Sequence, residues 1–173
     1  SRCTFFYVNS LNKSEFKKYL YTKCKGKSEE EIQFLKNIAF GSPGIASKII
    51  KNNLFVFYQS LLEDLNESIT YLNLKQDIIN ALNNRDNIFY INMMELIIND
   101  LIKKTVFYIE QQKYIDYTLE KEKIFIKKIS NNRTTNEFLD LQTKINKNIK
   151  VANIVNLKKS DILISSLKEL TSM

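Results

Sequence analysis

Histidine is absent from all 173 residues of this chain, tryptophan is absent too, and there is one proline, three glycines and two cysteines. Each shortage removes a class of function. Without histidine, no mechanism that needs an imidazole base can operate, and a Cys/His zinc site is excluded. Cys3 and Cys24 lie far apart with no second pair, so a disulfide framework is not encoded. No apolar run reaches the roughly 18 residues of a membrane-spanning helix, and no charged-then-apolar leader opens the sequence. The expectation is a cytoplasmic protein that does not engage a membrane. Arginine is scarce as well: only Arg2, Arg85 and Arg133 stand among 26 basic residues.

What is present describes a globular chain, with 44% apolar and 26% charged residues. The net charge of +7 invites a nucleic-acid reading. The lysines, however, are spread along every segment, whereas an electrostatic footprint requires clustering on one face. Lys103-Lys104 and Lys127-Lys128 read as solvated faces, and the abundance of Lys, Asn and Ile fits an AT-rich codon bias.

Thr4 to Val8 is β-branched and aromatic, the composition of a strand. Only helical patterns follow, so the strand has no partner in the sequence, and its sheet is expected to belong to chain preceding Ser1. A helix is predicted from Asn12 to Cys24, with Asn12 and Glu15 forming a capping box and Phe16, Tyr19, Leu20 and Cys24 on its apolar face. Ser28 caps a second helix, with Glu31 at the box position and Ile32, Leu35, Ile38 and Ala39 buried. Gly41-Ser42-Pro43-Gly44 then concentrates the only proline and two of the three glycines. Gly41 suits a helix stop, Ser42 an N-cap and Pro43 the first helical position, where no N–H is needed.

Beyond Asn52-Asn53 the helices lengthen. They are predicted over Leu54–Leu65, Leu74–Leu82, Ile88–Gln112 and Leu119–Ile129, then from Thr134 with Glu137, and last around Ile162, Leu163, Leu167 and Leu170. The fold class is all-α. A short N-terminal strand remnant (1–10) precedes a small three-helix unit (11–52) and a five- or six-helix bundle (54–173).

Few residues offer chemistry. Lys25-Gly26-Lys27-Ser28 imitates the end of a phosphate-binding loop, but Tyr21 stands where that loop needs its first glycine, and the preceding segment is helical. Ser28 is better explained as a cap. Glu29-Glu30-Glu31 and Glu63-Asp64 read as solvated acidic faces, and no hydroxyl has an adjacent base. The aromatic residues fall at core spacing. Arg2 differs, because in a lysine-biased chain an arginine suggests a need for the planar fork that grips phosphate or carboxylate.

Taken in order, Ser1-Arg2-Cys3 before a strand, Leu11-x-x-x-Glu15-Phe16, Ser28-Glu29-Glu30 and Phe40-Gly41-Ser42-Pro43-Gly44-Ile45-Ala46 resemble bacterial DNA polymerase III clamp-loader subunits, most closely the delta-prime type. Ala152-Asn153-x-x-Asn156-Leu157-Lys158 before a final amphipathic helix is similar to the tail of that family. The resemblance implies that 1–10 ends an AAA+ core, 11–52 is the lid domain and 54–173 is the collar through which loader subunits close into a ring. It implies that Arg2 is an arginine finger acting in trans on ATP bound by a neighbouring subunit, with no cofactor held by the fragment itself. Cys3 would be a small buried member of that motif. Implied partners are the gamma/tau and delta subunits, with the sliding clamp and primed DNA met indirectly. Hydrolysing loader subunits carry an arginine two residues after the serine of the Gly-Ser segment. Gly44 occupies that position here, which implies a non-hydrolysing structural subunit. The alternatives are a fragment of the gamma/tau motor subunit, which Gly44 disfavours, and a stand-alone helical interaction module.

Overall fold

A computed structural model describes residues 9–67, 74–83, 88–111, 115–155 and 157–172. Among them every regular element is helical: α1 (Lys13–Lys23), α2 (Glu29–Ala39), α3 (Pro43–Lys51), α4 (Leu54–Glu67), α5 (Gln76–Asn83), α6 (Ile88–Ile109), α7 (Glu120–Ser130), α8 (Thr135–Val155) and α9 (Lys159–Thr171). The all-α class is therefore the observed one. The strand expected at 4–8 lies outside the described residues.

The short helices begin as their sequences dictate. Asn12 accepts from the amides of Ser14 and Glu15 while Glu15 accepts from the amide of Asn12, a complete capping box. Ser28 accepts from the Glu31 amide at 3.1 Å. The return bond is missing there, because the Glu31 carboxylate pairs with Lys27 at 2.6 Å instead. Ser42 caps α3 through the Ile45 amide, with Pro43 at the first position. The stop before it is sharper than the sequence suggests, since both Phe40 (φ 47°) and Gly41 (φ 77°) take left-handed torsions. Gly41 also fills a tight contact: a Cβ there would lie 2.4 Å from the Leu11 carbonyl oxygen, while the Gly41 carbonyl accepts from the Leu11 amide at 3.0 Å. The joint thus ties the end of α2 to the entry of α1.

Helix α6 is the axis of the longer elements, with α7, α8 and α9 packed on it and α2 and α5 reaching it as well. Met94, Ile97, Ile98, Leu101 and Ile102 are fully enclosed, and at about 1.5–3 kcal/mol for each such side chain they contribute on the order of 10 kcal/mol of gross burial free energy. Polar contacts fix α8 antiparallel to α6: Thr135 donates to Glu110 at 2.6 Å near one end, and Gln142 donates to Asn99 at 3.0 Å further along. Phe34, which the periodicity of α2 did not assign to the buried side, is enclosed and stacks on Tyr58 of α4 at 4.8 Å between ring centroids. The α1–α3 core is thereby continuous with that of the longer helices.

Of the boundaries that differ from the periodicity, two sit beside identifiable local contacts or torsions. Helix α5 starts at Gln76 rather than Leu74: the Lys75 carbonyl accepts the first helical bonds, from the amides of Ile78 and Ile79, and the Lys75 amide donates to the Asp64 carboxylate at 2.6 Å. Helix α6 ends at Ile109, where Gln111 turns left-handed (φ 51°).

Candidate functional site

Among the described residues, charge enters the interior as a cluster where α6 meets α7. Lys104 of α6 is enclosed, and its ammonium lies 2.5 Å from Glu122 of α7 and 2.7 Å from Asp100, one turn earlier on its own helix. Glu122 has no exposed surface, and its other oxygen accepts from the Thr118 amide. Tyr58 brings its hydroxyl to the same carboxylate; burial first, then the charges of Glu122 and Asp100, push its pKa well above the ordinary value. Burial also raises the Asp100 carboxyl, against the opposing pull of Lys104. The chain of contacts runs outward too. Thr118 and the Asp116 carbonyl both accept from the Asn37 amide group of α2, at 3.1 and 2.9 Å. Residues 115–118 therefore form a strap whose polar contacts join α2 to α7 and, through Glu122, to α6.

The expectation that Lys103-Lys104 and Glu63-Asp64 are solvated faces is corrected for one member of each pair. Lys104 is 5% and Asp64 2% exposed. Both stand on the apolar side of their helices, Lys104 three residues after Leu101 and Asp64 three after Leu61, so helical geometry turns them inward. Asp64 is met there by Lys75, whose ammonium also reaches Glu63 at 3.0 Å, and Lys121 adds a second bond to Glu63 at 2.7 Å. Sequence reasoning did not single out Glu122. A signal exists, because Glu122 precedes Phe125, Ile126 and Ile129 by three, four and seven residues and so shares their buried stripe.

Arg2, the candidate finger, lies outside the described residues, as do Cys3 and Arg85. Arg133 spends its guanidinium within the chain, donating to the carbonyls of Glu169 (2.7 Å) and Ser172 (3.3 Å) at the C-terminal end of α9, where carbonyls are otherwise left unpaired. Cys24 is free and buried, and burial pushes its thiol pKa up. Gly26 (φ 86°) and Lys27 form the turn before α2, so Gly26-Lys27-Ser28 works as a turn and cap. Gly44 is exposed at the start of α3, and an added Cβ would meet nothing nearer than the Ser42 hydroxyl at 3.9 Å. Nothing steric forbids a side chain there.

Two open clefts of about 600 and 400 Å³ flank the strap, with Ile115 and Tyr117 lining both. Neither sets a nucleophile against a base. The Lys104–Glu122 cluster is sealed from solvent, and a general acid or base must reach the proton it transfers. Among the described residues no group of acidic and cysteine side chains is arranged to hold a metal ion, and no helix is long and apolar enough to cross a membrane. No family model, curated protein or solved structure matches the chain.

Proposed function

We propose that the chain is the lid and collar portion of a clamp-loader subunit of the delta-prime type, a non-hydrolysing member of the ring that loads the sliding clamp during chromosomal replication. The observation that carries the proposal is the Gly41-Ser42-Pro43-Gly44 joint. It follows two short helices, opens a third, and presents Gly44 exposed where a nucleotide-sensing arginine would stand in a motor subunit. Helices α1–α3 correspond to the lid at 11–52 and α4–α9 to the collar at 54–173. On this reading Arg2 reaches ATP on a neighbouring subunit, the gamma/tau and delta subunits are the direct partners, and the setting is the cytoplasm. The space around Gly44 supports the assignment in one further way. Because a side chain would fit, the missing arginine reflects absent demand rather than steric exclusion.

The test uses full-length protein assembled with its gamma/tau and delta partners. Arg2→Ala lowers the DNA-stimulated ATPase of the assembled loader and leaves assembly intact. Unchanged ATPase removes the finger assignment, and failure of the wild-type protein to assemble removes the whole proposal.

A further inference from the structure

One end of the bundle carries a concentration of exposed apolar side chains. On α8 and just beyond it, Val151 is 41%, Ile154 81%, Val155 56% and Leu157 57% exposed. Val151, Ile154 and Val155 are spaced three and four apart and share a helix face. Ile88, 64% exposed, opens α6. The antiparallel register of α6 and α8, with Glu110 beside Thr135 and Asn99 beside Gln142, brings the start of α6 to the end where α8 finishes. Such side chains on one end span on the order of a few hundred Å², the size at which apolar patches become functional rather than incidental.

Lysine dominates the rim along α8, with exposed Asp161 the acidic residue that follows it at the start of α9. From Leu141 to Ser160 there are five lysines and no acidic residue. Lys144 is held by Glu169, and Lys158 donates to Asn83 at 3.3 Å. Lys147 and Lys150 are exposed, make no ion pair among the described residues, and sit one turn before Val151 and Ile154 respectively. A second copy would bring the same lysines face to face, which like-charge repulsion opposes.

We propose that this end of the bundle docks an acidic amphipathic helix of a partner protein, whose apolar face covers Val151, Ile154 and Val155 while its carboxylates meet Lys147 and Lys150. The inference does not rest on the clamp-loader reading, because it concerns a surface and its chemistry whatever the identity of the chain.

The probe is a labelled synthetic helix with leucines at i, i+3, i+4 and i+7 and glutamates on its flanks, titrated into full-length protein and read by fluorescence anisotropy. Binding saturates, and it weakens about tenfold in Ile154→Gln and again in Lys147→Glu with Lys150→Glu. It also weakens as salt rises from about 0.05 to about 0.3 M, since the Debye length shortens. Leu139→Gln, near the opposite end of α8, leaves binding unchanged. Circular dichroism checks that each variant is folded, as expected for substitutions at exposed positions. Equal binding of a peptide with lysine in place of glutamate overturns the proposal, as does insensitivity to Ile154→Gln. So does Ile154-dependent binding to phosphatidylserine vesicles, which would make the face a lipid surface. Ile154-dependent dimerisation would assign the face to a second copy and overturn it equally. Loader assembly that survives while peptide binding fails rejects this face and leaves the proposed function standing.

Discussion

Helices α1–α3 and helices α4–α9 differ in how uniformly they are capped, for within the second set α8 opens on a reciprocal Thr134–Glu137 cap. Each of the three short helices opens on a side-chain cap from Asn12, Ser28 or Ser42, and their joints are set by glycine or left-handed residues. Within α4–α9, α7 and α9 start at Leu119 and Lys158 with no side-chain cap bond. The contacts beside those starts differ: Glu122, within α7 itself, takes the Thr118 amide, while Ser160 and Lys158 donate to Asn83 of α5. A unit of about forty residues has too little core to stand alone, so local backbone satisfaction counts for more there. The longer helices bury continuous apolar stripes and can accommodate charges in the interior, provided those charges are paired.

The largest expected effect breaks the second strategy. Glu122→Ala or Lys104→Met strands buried charge and destabilises by about 3–5 kcal/mol in denaturant unfolding, whereas the double variant Lys104→Met with Glu122→Leu recovers a large part of that loss. Additive losses would mean that the pair is not the unit described. Asp100→Asn keeps an acceptor for Lys104 and costs below about 1 kcal/mol. Its sign with pH follows from the raised Asp100 pKa. The protonated carboxyl favours the fold, a contribution complete below the ordinary value of 3.8 and lost as pH rises through the folded value.

Next is the joint. Gly41→Ala meets the Leu11 carbonyl in a left-handed conformation and costs about 2–3 kcal/mol, while Gly44→Arg, in open space, leaves stability within about 0.5 kcal/mol. Equal losses at the two glycines would contradict the packing of the joint. Smaller still, Asn12→Ala and Ser42→Ala each cost about 1 kcal/mol. The comparison predicts that hydrogen exchange quickens in α1–α3 and stays slow in α6. The smallest effect is electrostatic. Lys121 and Lys75 hold the Glu63 carboxyl at about 2 against an ordinary 4.5. The fold therefore gains from it above pH 4.5 and loses that gain as pH falls towards 2. Exposure and salt screening keep the effect modest. Glu63→Gln flattens this acid limb, and a limb of unchanged steepness would assign the acid sensitivity to other groups.

The same contrast explains what the sequence revealed. Caps and stops are local, written within four residues, so Asn12, Ser28, Ser42 and Pro43 could be read directly. The apolar stripe of α6 was equally legible from its spacing. The burial of Lys104, Asp64 and Glu122 was not read, because Glu122 meets Lys104 from 18 residues away and Lys75 meets Asp64 from 11 residues away, beyond the helix that carries each. A charged residue on an apolar stripe is the visible half of such a pair, and the other half appears only when the helices pack. Arg2 could be singled out by residue type alone, and the role proposed for it depends on a neighbouring subunit.

Reconstitution of full-length protein with gamma/tau and delta subunits, followed by sedimentation of the mixture, tests the central claim most directly. The account predicts that all three kinds of subunit sediment together as one larger complex that retains this chain at high dilution. If this chain sediments alone at every concentration while the other subunits assemble without it, its assignment to the loader ring is contradicted.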